Sequence, residues 1–229
     1  MKKGFLFIFL LFSMVAISQT DFDAAKKLYQ QGNLMQAQKI FEKIIKVAPN
    51  NLEANEYLGD IFGQNKSWDS AIFYYKKVKT LNPAEANYWY KYGGALGMKA
   101  QESNKFKALG MIDEVEASFK KAIQLDPNHI EARKALVELY LQLPAIIGGS
   151  EKKATKYANE IYRISPVEGY IAKGKIAEYF NRYTQAELFF KKAIELVQSR
   201  KTAQNLADLY KNKMNLPEKA KTILELYSR

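Results

Sequence analysis

The chain of 229 residues contains no cysteine and a single histidine, His129. Without cysteine there are no disulfides, so stability has to come from packing alone. One histidine and no thiol cannot build the usual zinc site, which needs three or four nitrogen or sulfur ligands. No Gly-x-Ser-x-Gly elbow, phosphate-binding glycine loop or paired-histidine helix is present either. On catalysis the sequence is therefore nearly silent. The expectation is a protein that is not an enzyme and uses neither metal nor cofactor.

Past the first twenty residues no stretch is apolar enough to cross a membrane. The start differs. Lys2 and Lys3 precede an almost unbroken apolar run from Gly4 to Ile17, and Ala16-Ile17-Ser18 sets small residues where a signal peptidase reads. This is the pattern of a cleavable secretory signal over residues 1–18, with Gln19 as the new N-terminus. An uncleaved anchor is the alternative, although the apolar part is short for a bilayer. No cysteine follows the run, which excludes a lipid-modified N-terminus. The expected location is periplasmic or secreted, with nothing spanning the membrane after cleavage.

Acidic residues are outnumbered: 24 Asp and Glu stand against 35 Lys and Arg, a formal charge of +11, or +9 without Lys2 and Lys3. A basic excess raises the question of nucleic acid. No recognised binding motif accompanies it, and an exported chain meets little nucleic acid, so that partner is not expected. Lys76-Lys77, Lys120-Lys121 and Lys191-Lys192 recur at equivalent places on second helices, which reads as a solvated outer face. A stripe touching an anionic envelope surface is the other reading.

What the sequence does have is a period. Proline is scarce, six in all, and its spacing is informative: Pro49 and Pro83 are 34 apart. Ala37 and Ala71 are also 34 apart, each four residues ahead of an aromatic, Phe41 and Tyr75; Ala186 and Ala220 repeat the step ahead of Phe190 and Leu224. Pro83 to Pro127 is 44, ten over the unit, and Pro127 to Pro166 is 39, five over. Each unit reads as two helices with a tight turn between them and a proline-marked turn after. The first helices fall near Asp21–Gln31, Leu52–Gln64, Glu85–Gln101, Ile130–Gln142, Val167–Asn181 and Thr202–Asn212. In Leu58-Gly59 and Tyr92-Gly93 the small residue lets the second helix approach closely.

The pattern Trp89…Tyr92-Gly93…Leu96, Phe119…Ala122, Leu125-Asp126-Pro127-Asn128 resembles the tetratricopeptide repeat. The resemblance implies an all-α, right-handed superhelical solenoid of helix-turn-helix repeats over residues 19–229. Its six units would span about 19–50, 51–84, 85–128, 129–166, 167–200 and 201–229. A narrower stretch, Tyr140…Pro144-Ala-Ile-Ile-Gly148-Gly149-Ser150…Ala154, is similar to a group of exported bacterial tetratricopeptide proteins with a Pro…Gly-Gly insertion in one repeat.

Such repeats imply a non-enzymatic exported scaffold that holds a protein or peptide on a concave face lined by first helices. An accessory role in small-molecule binding or transport is the alternative. Groove-facing candidates are Tyr29, Glu56, Asp60, Tyr90, Lys134, Glu138, Lys175 and Tyr179, a mix of aromatics and charges suited to an extended peptide or partner helix. The competing account is that these tyrosines pack between neighbouring repeats. Some family members clamp a chaperone's C-terminal carboxylate with basic and amide residues on first helices. Glu56 and Asp60 occupy that face here and would repel it. The same two carboxylates, four apart on one helix, are what an enzyme would have to use.

Two insertions remain, at about 97–110 and 144–150, and loops a repeat does not need are places to look for function. The first is expected to lengthen the first helix of the third unit by about two turns. In the second, Gly148-Gly149 makes a turn and Ser150 caps the next helix, with Glu151 at its positive end. His129 falls in a turn that normally carries a polar linker residue.

Overall fold

Prolines and small polar residues cut the chain into helices close to where the spacing places them. The computed structural model describes residues 20–227, and every regular element among them is helical. The expected signal segment, residues 1–18, lies outside the described residues, as does Gln19. The helices are α1 (residues 20–30), α2 (Leu34–Val47), α3 (Leu52–Gln64), α4 (Trp68–Leu81), α5 (Ala86–Glu102) and α6 (Lys105–Leu125). They continue as α7 (Ile130–Gln142), α8 (Glu151–Ile164), α9 (Pro166–Tyr179), α10 (Tyr183–Leu196), α11 (Arg200–Asn212) and α12 (Pro217–Leu226). The odd-numbered helices begin and end within two residues of the expected first helices.

The chain divides within α6 into two compact units, one ending at Ser118 and one starting at Phe119. In the first unit, Phe22, Ala25, Ala37, Phe41, Ile44, Ala54, Leu58 and Ile61 form a continuous core. The Tyr57 ring stacks on Phe41 with centroids 4.8 Å apart. In the second unit the corresponding core joins Ala177, Ala186, Phe190, Ile194, Ala203, Leu206, Leu209 and Ala220. In both, the shared geometry is small against large: alanines let helices close up, and one ring fills the gap between them.

The connections are equally regular. Four of the six turns from a first helix to a second contain a residue at positive φ of 54–79°, at Gly32 (79°), Lys66 (56°), Asn181 (58°) and Asn215 (54°). Gly32 and Lys66 are 34 apart, and so are Asn181 and Asn215. Turns from a second helix to the next first helix are tied from within. Asn55 Nδ2 donates to the Pro49 carbonyl at 3.0 Å, and Trp89 Nε1 donates to the Pro83 carbonyl at 2.9 Å. Both bonds reach back six residues, so two unlike side chains do one job.

The insertions resolve in different ways. Ser150 caps α8 as expected, accepting from the Lys153 N–H at 3.3 Å, and Gly148 takes φ of 104°. The first insertion does not go into the first helix alone. The chain breaks at Ser103-Asn104, where Asn104 Oδ1 accepts from the Lys107 N–H at 3.0 Å as a cap. α5 has 17 residues against 13 in α3, and α6 has 21 against 14 in α4, so the second helix takes the larger share. His129 is likewise a cap: it is buried, and its Nδ1 accepts from the Ala132 N–H at 3.2 Å.

Candidate partner-binding faces

In the first unit, α1, α3 and α5 bring polar side chains onto one face. Glu56 and Asp60 are one turn apart on α3 and point the same way. Between them stands Lys91 of α5, its Nζ 2.6 Å from Glu56 Oε1 and 2.8 Å from Asp60 Oδ1. Tyr75 of α4 donates its hydroxyl to Asp60 Oδ1 at 2.7 Å, and Tyr88 donates to Glu56 Oε2 at 3.3 Å. At the next turn Gln64 Nε2 donates to the Tyr29 hydroxyl at 2.7 Å. Two carboxylates, one ammonium and two phenols make a network with a formal charge of −1, held by α3 and α5 plus a ring from α4.

The network is partly open to water. The side chains of Lys91, Glu56 and Asp60 keep 26%, 27% and 20% of their surface. That is little enough to fix their positions and enough to meet a ligand. Burial by itself would lower the Lys91 ammonium, but Asp60 and Glu56 outweigh it and hold it above the ordinary lysine value. Burial first, and then Asp60, pushes the Tyr75 phenol far up. Burial and Glu56 push Tyr88 up to about 12. The phenols therefore stay protonated as donors across the physiological range.

Asp60 depends on its neighbour Gly59. A Cβ on Gly59 would lie 2.6 Å from Tyr75 Cε1, so the glycine is what admits the ring that reaches Asp60. Tyr29 also meets Tyr57 edge-on at 5.0 Å, so it packs between repeats and presents its hydroxyl at the same time. Tyr90 is half-buried and lies about 100° round α5 from Lys91.

In the second unit, α7 and α9 are joined by Lys134 Nζ to Glu168 Oε2 at 2.6 Å. Arg133, buried, is bound to Glu160 of α8 at 3.1 Å and to the His129 carbonyl at 3.1 Å. Glu138 accepts from Gln142 on its own helix, in solvent. Lys175 pairs with Glu178 at 3.3 Å, and its Nζ lies 5.7 Å from the centre of the Phe190 ring. Tyr179 is 50% exposed, set edge-on to Phe180. The structure thus gathers Tyr29, Glu56 and Asp60 around one cluster, and leaves Lys134, Glu138, Lys175 and Tyr179 in separate small contacts.

Sequence reasoning missed Lys91, Tyr75, Tyr88 and Gln64. One signal was available: Lys91 lies 35 residues after Glu56 and 31 after Asp60, one repeat on, as a lone cation in the aromatic run Tyr88-Trp89-Tyr90-Lys91-Tyr92. Among the described residues no group of acidic and histidine side chains could hold a metal ion. A depression of about 690 Å³ is lined by Glu151, Lys152, Thr155, Lys156, Asn159, Glu160 and Arg163. All seven belong to α8, so this is an open helix face and not an enclosed cavity. None of the described helices is long and apolar enough to cross a membrane.

Comparison with known proteins gives the geometry a context. A tetratricopeptide repeat family model matches residues 22–86, and a second model with the same description matches 106–129 and 167–197. The chain is 23% identical over 199 residues to the protein O-mannosyl-transferase TMTC3 of Mus musculus, covering 82% of this chain and 20% of that protein. The human protein of the same name is 24% identical over 183 residues, 76% of this chain and 18% of that protein. The chain therefore spans about a fifth of the length of these relatives. Among solved structures, the type IV pilus biogenesis factor PilW superposes with a TM-score of 0.67 at 17% identity, covering 91% of this chain and 92% of PilW. A thermophilic tetratricopeptide protein of Thermus thermophilus superposes with a TM-score of 0.63 at 16% identity, covering 91% of this chain and 99% of that one. At these identities the likeness speaks for the fold.

Proposed function

The chain belongs to the tetratricopeptide repeat family, and on that premise we propose that it is an exported, non-enzymatic scaffold holding a protein or peptide partner on the faces of its first helices. The observation that carries this reading is the Lys91–Glu56–Asp60 network. Its donors and acceptors are fixed by Tyr75 and Tyr88 yet partly open to water. Groups ordered in advance lose little freedom on binding, which is where a partner gains affinity. Tyr90 and Tyr179 supply aromatic surface on first helices of the two units, the residue type that anchors protein interfaces.

The non-enzymatic part is supported by what holds the two carboxylates. Glu56 and Asp60 are both engaged by the Lys91 ammonium, with a phenol on each, which leaves neither poised as a general base. The export part is supported by Lys2, Lys3, the apolar run to Ile17 and the Ala16-Ile17-Ser18 site. Amino-terminal sequencing of protein recovered from the periplasm or medium should begin at Gln19; recovery only with Met1 intact would overturn export by cleavage.

A photo-reactive residue at Tyr90 or Tyr179, introduced into the full chain in its own cells, tests the binding role. Discrete protein adducts are expected from these positions and not from Lys76 on an outer helix. The absence of adducts at both would sink the scaffold reading. Glycosyl transfer, the activity in the mouse relative's name, is the reaction to assay on purified protein; measurable turnover would contradict the non-enzymatic part.

A further inference from the structure

The end of the α5–α6 hairpin has no part in the binding faces. At the start of α4, Asp69 is paired with Lys99 of α5, and Glu102 and Ser103 still line a shallow depression with residues 66–70, whereas residues 104–107 are all exposed. A Cβ placed on Gly110 would meet nothing within 4 Å, so the first turns of α6 are uncovered as well. On this bare tip Phe106 is 89% exposed and Leu109, one turn along the same face, 45%. Lys105 and Lys107 flank the phenylalanine, and neither has an ion-pair partner among the described residues. From Ser103 to Ile112 there is no acidic residue at all.

Folding gains nothing from such a ring, since it is left in water. The repeat does not need the segment either, because it is the ten-residue excess between Pro83 and Pro127. An exposed ring between two unpaired cations, on the uncovered first turns of α6, fits a surface that yields to it and carries negative charge. We propose that the α5–α6 tip docks on the anionic surface of a phospholipid bilayer, with Phe106 and Leu109 entering the headgroup boundary and Lys105 and Lys107 meeting lipid phosphates. Two lysines and two apolar side chains give reversible contact, which suits a scaffold that is brought to a membrane and released. The proposal stands apart from the first-helix faces, which face a partner of different chemistry.

The lack of native cysteine makes the test clean. A polarity-sensitive dye on Leu109→Cys in the full chain, with the same dye on Gln124→Cys at the far end of α6 as control, reads insertion locally. This separates the tip from any binding by residues 4–17. With vesicles of phosphatidylserine and phosphatidylcholine the dye at position 109 should shift blue and brighten, while the control stays unchanged. Lys105→Glu with Lys107→Glu should weaken that response by roughly tenfold or more, given the usual contribution of a lysine near an anionic surface. Phe106→Ser should reduce it further, with circular dichroism unchanged because the site is exposed. No response at 109, or an equal response at 124, would overturn the proposal. So would a photo-crosslinker at Phe106 that yields a discrete protein adduct in cells and no lipid adduct.

Discussion

The two units use one backbone slot for opposite charges. In the first, Gly59 admits the Tyr75 ring, and the next residue, Asp60, accepts that ring's hydroxyl. In the second, Gly174 admits the Phe190 ring, and the next residue, Lys175, sets its ammonium over the ring. Both pairs are separated by sixteen residues, from glycine to aromatic. One phenolic oxygen decides which sign is accommodated: with it the slot offers a donor to a carboxylate, and without it a bare ring faces a cation. Packing and surface charge are thus set by a single pair of residues, and the first-helix face can change polarity without a change of fold.

The largest effect should come from exchanging the charged residue. Asp60→Lys brings a second ammonium against Lys91 and strands the Tyr75 hydroxyl, and should cost about 2–3 kcal/mol after allowance for partial exposure. Tryptophan fluorescence in a urea titration would read this, because Trp68 and Trp89 both lie in the first unit. Adding Lys91→Glu should recover about half of the loss. If Asp60→Lys is neutral, the slot does not select charge and the comparison fails.

The next effect tests the packing. Gly174→Ala sets a Cβ 2.3 Å from Phe190 Cε1, a ring that is fully buried; Gly59→Ala sets one 2.6 Å from a Tyr75 ring that is 7% exposed. Overpacking costs exceed the helix preference for alanine, leaving a net loss of about 2 kcal/mol at position 174 and about 1 at position 59. Thermal unfolding followed by circular dichroism should give that order, and equal losses would show that the second ring is no more confined than the first.

Smaller still is the hydroxyl itself. Tyr75→Phe should lose about 1 kcal/mol, the usual net contribution of one such bond. Phe190→Tyr should lose a similar amount, and Lys175→Asp in that background should restore part of it by rebuilding the first unit's arrangement. An additive double variant would mean that the second slot cannot accept the first slot's chemistry.

The smallest effect is visible only in alkali. The folded state holds the Lys91 proton, and that of Tyr88, more tightly than the unfolded chain does. Their contribution is therefore complete below about pH 10, the ordinary range for these groups, and is lost as the pH rises toward and past the folded values. For Tyr88 that value is about 12. Absorbance at the phenolate wavelength should show a late-ionising group, and Glu56→Gln should move part of it to lower pH, because the carboxylate is one of the causes that raise Tyr88.

Most of the fold was legible because its determinants are local. Prolines, the small residue before each ring and capping residues such as Ser150 act within a few positions, so periodicity alone finds the helices. Asn104 was equally local, and reading it as a cap would have divided the first insertion between α5 and α6. Of the binding network, the carboxylates were legible and the groups that hold them were not. Lys91 reaches carboxylates 31 and 35 residues away, and nothing in its own helical pattern distinguishes a cation turned toward α3 from one turned to solvent. The two tyrosines that hold the carboxylates look like core aromatics, and they are that too: only the position of an oxygen at the end of each ring gives them a second role.

The left-handed residues of the inter-helix turns carry a consequence for how such a chain changes over generations. Gly32 and Lys66 have the same backbone turn 34 residues apart, and so do Asn181 and Asn215. A recombination that joins the codon for residue 32 to that for residue 67 keeps one intact turn and removes one whole period; the reverse event adds one. Because stability in repeat chains is close to a sum over neighbours, either product begins life already near a foldable state. Lengthening and shortening by whole periods are then single genetic steps, whereas the α5–α6 and α7–α8 connections, which lack that shared turn, are fixed points, and the count of repeats is free to drift only before the first and after the second.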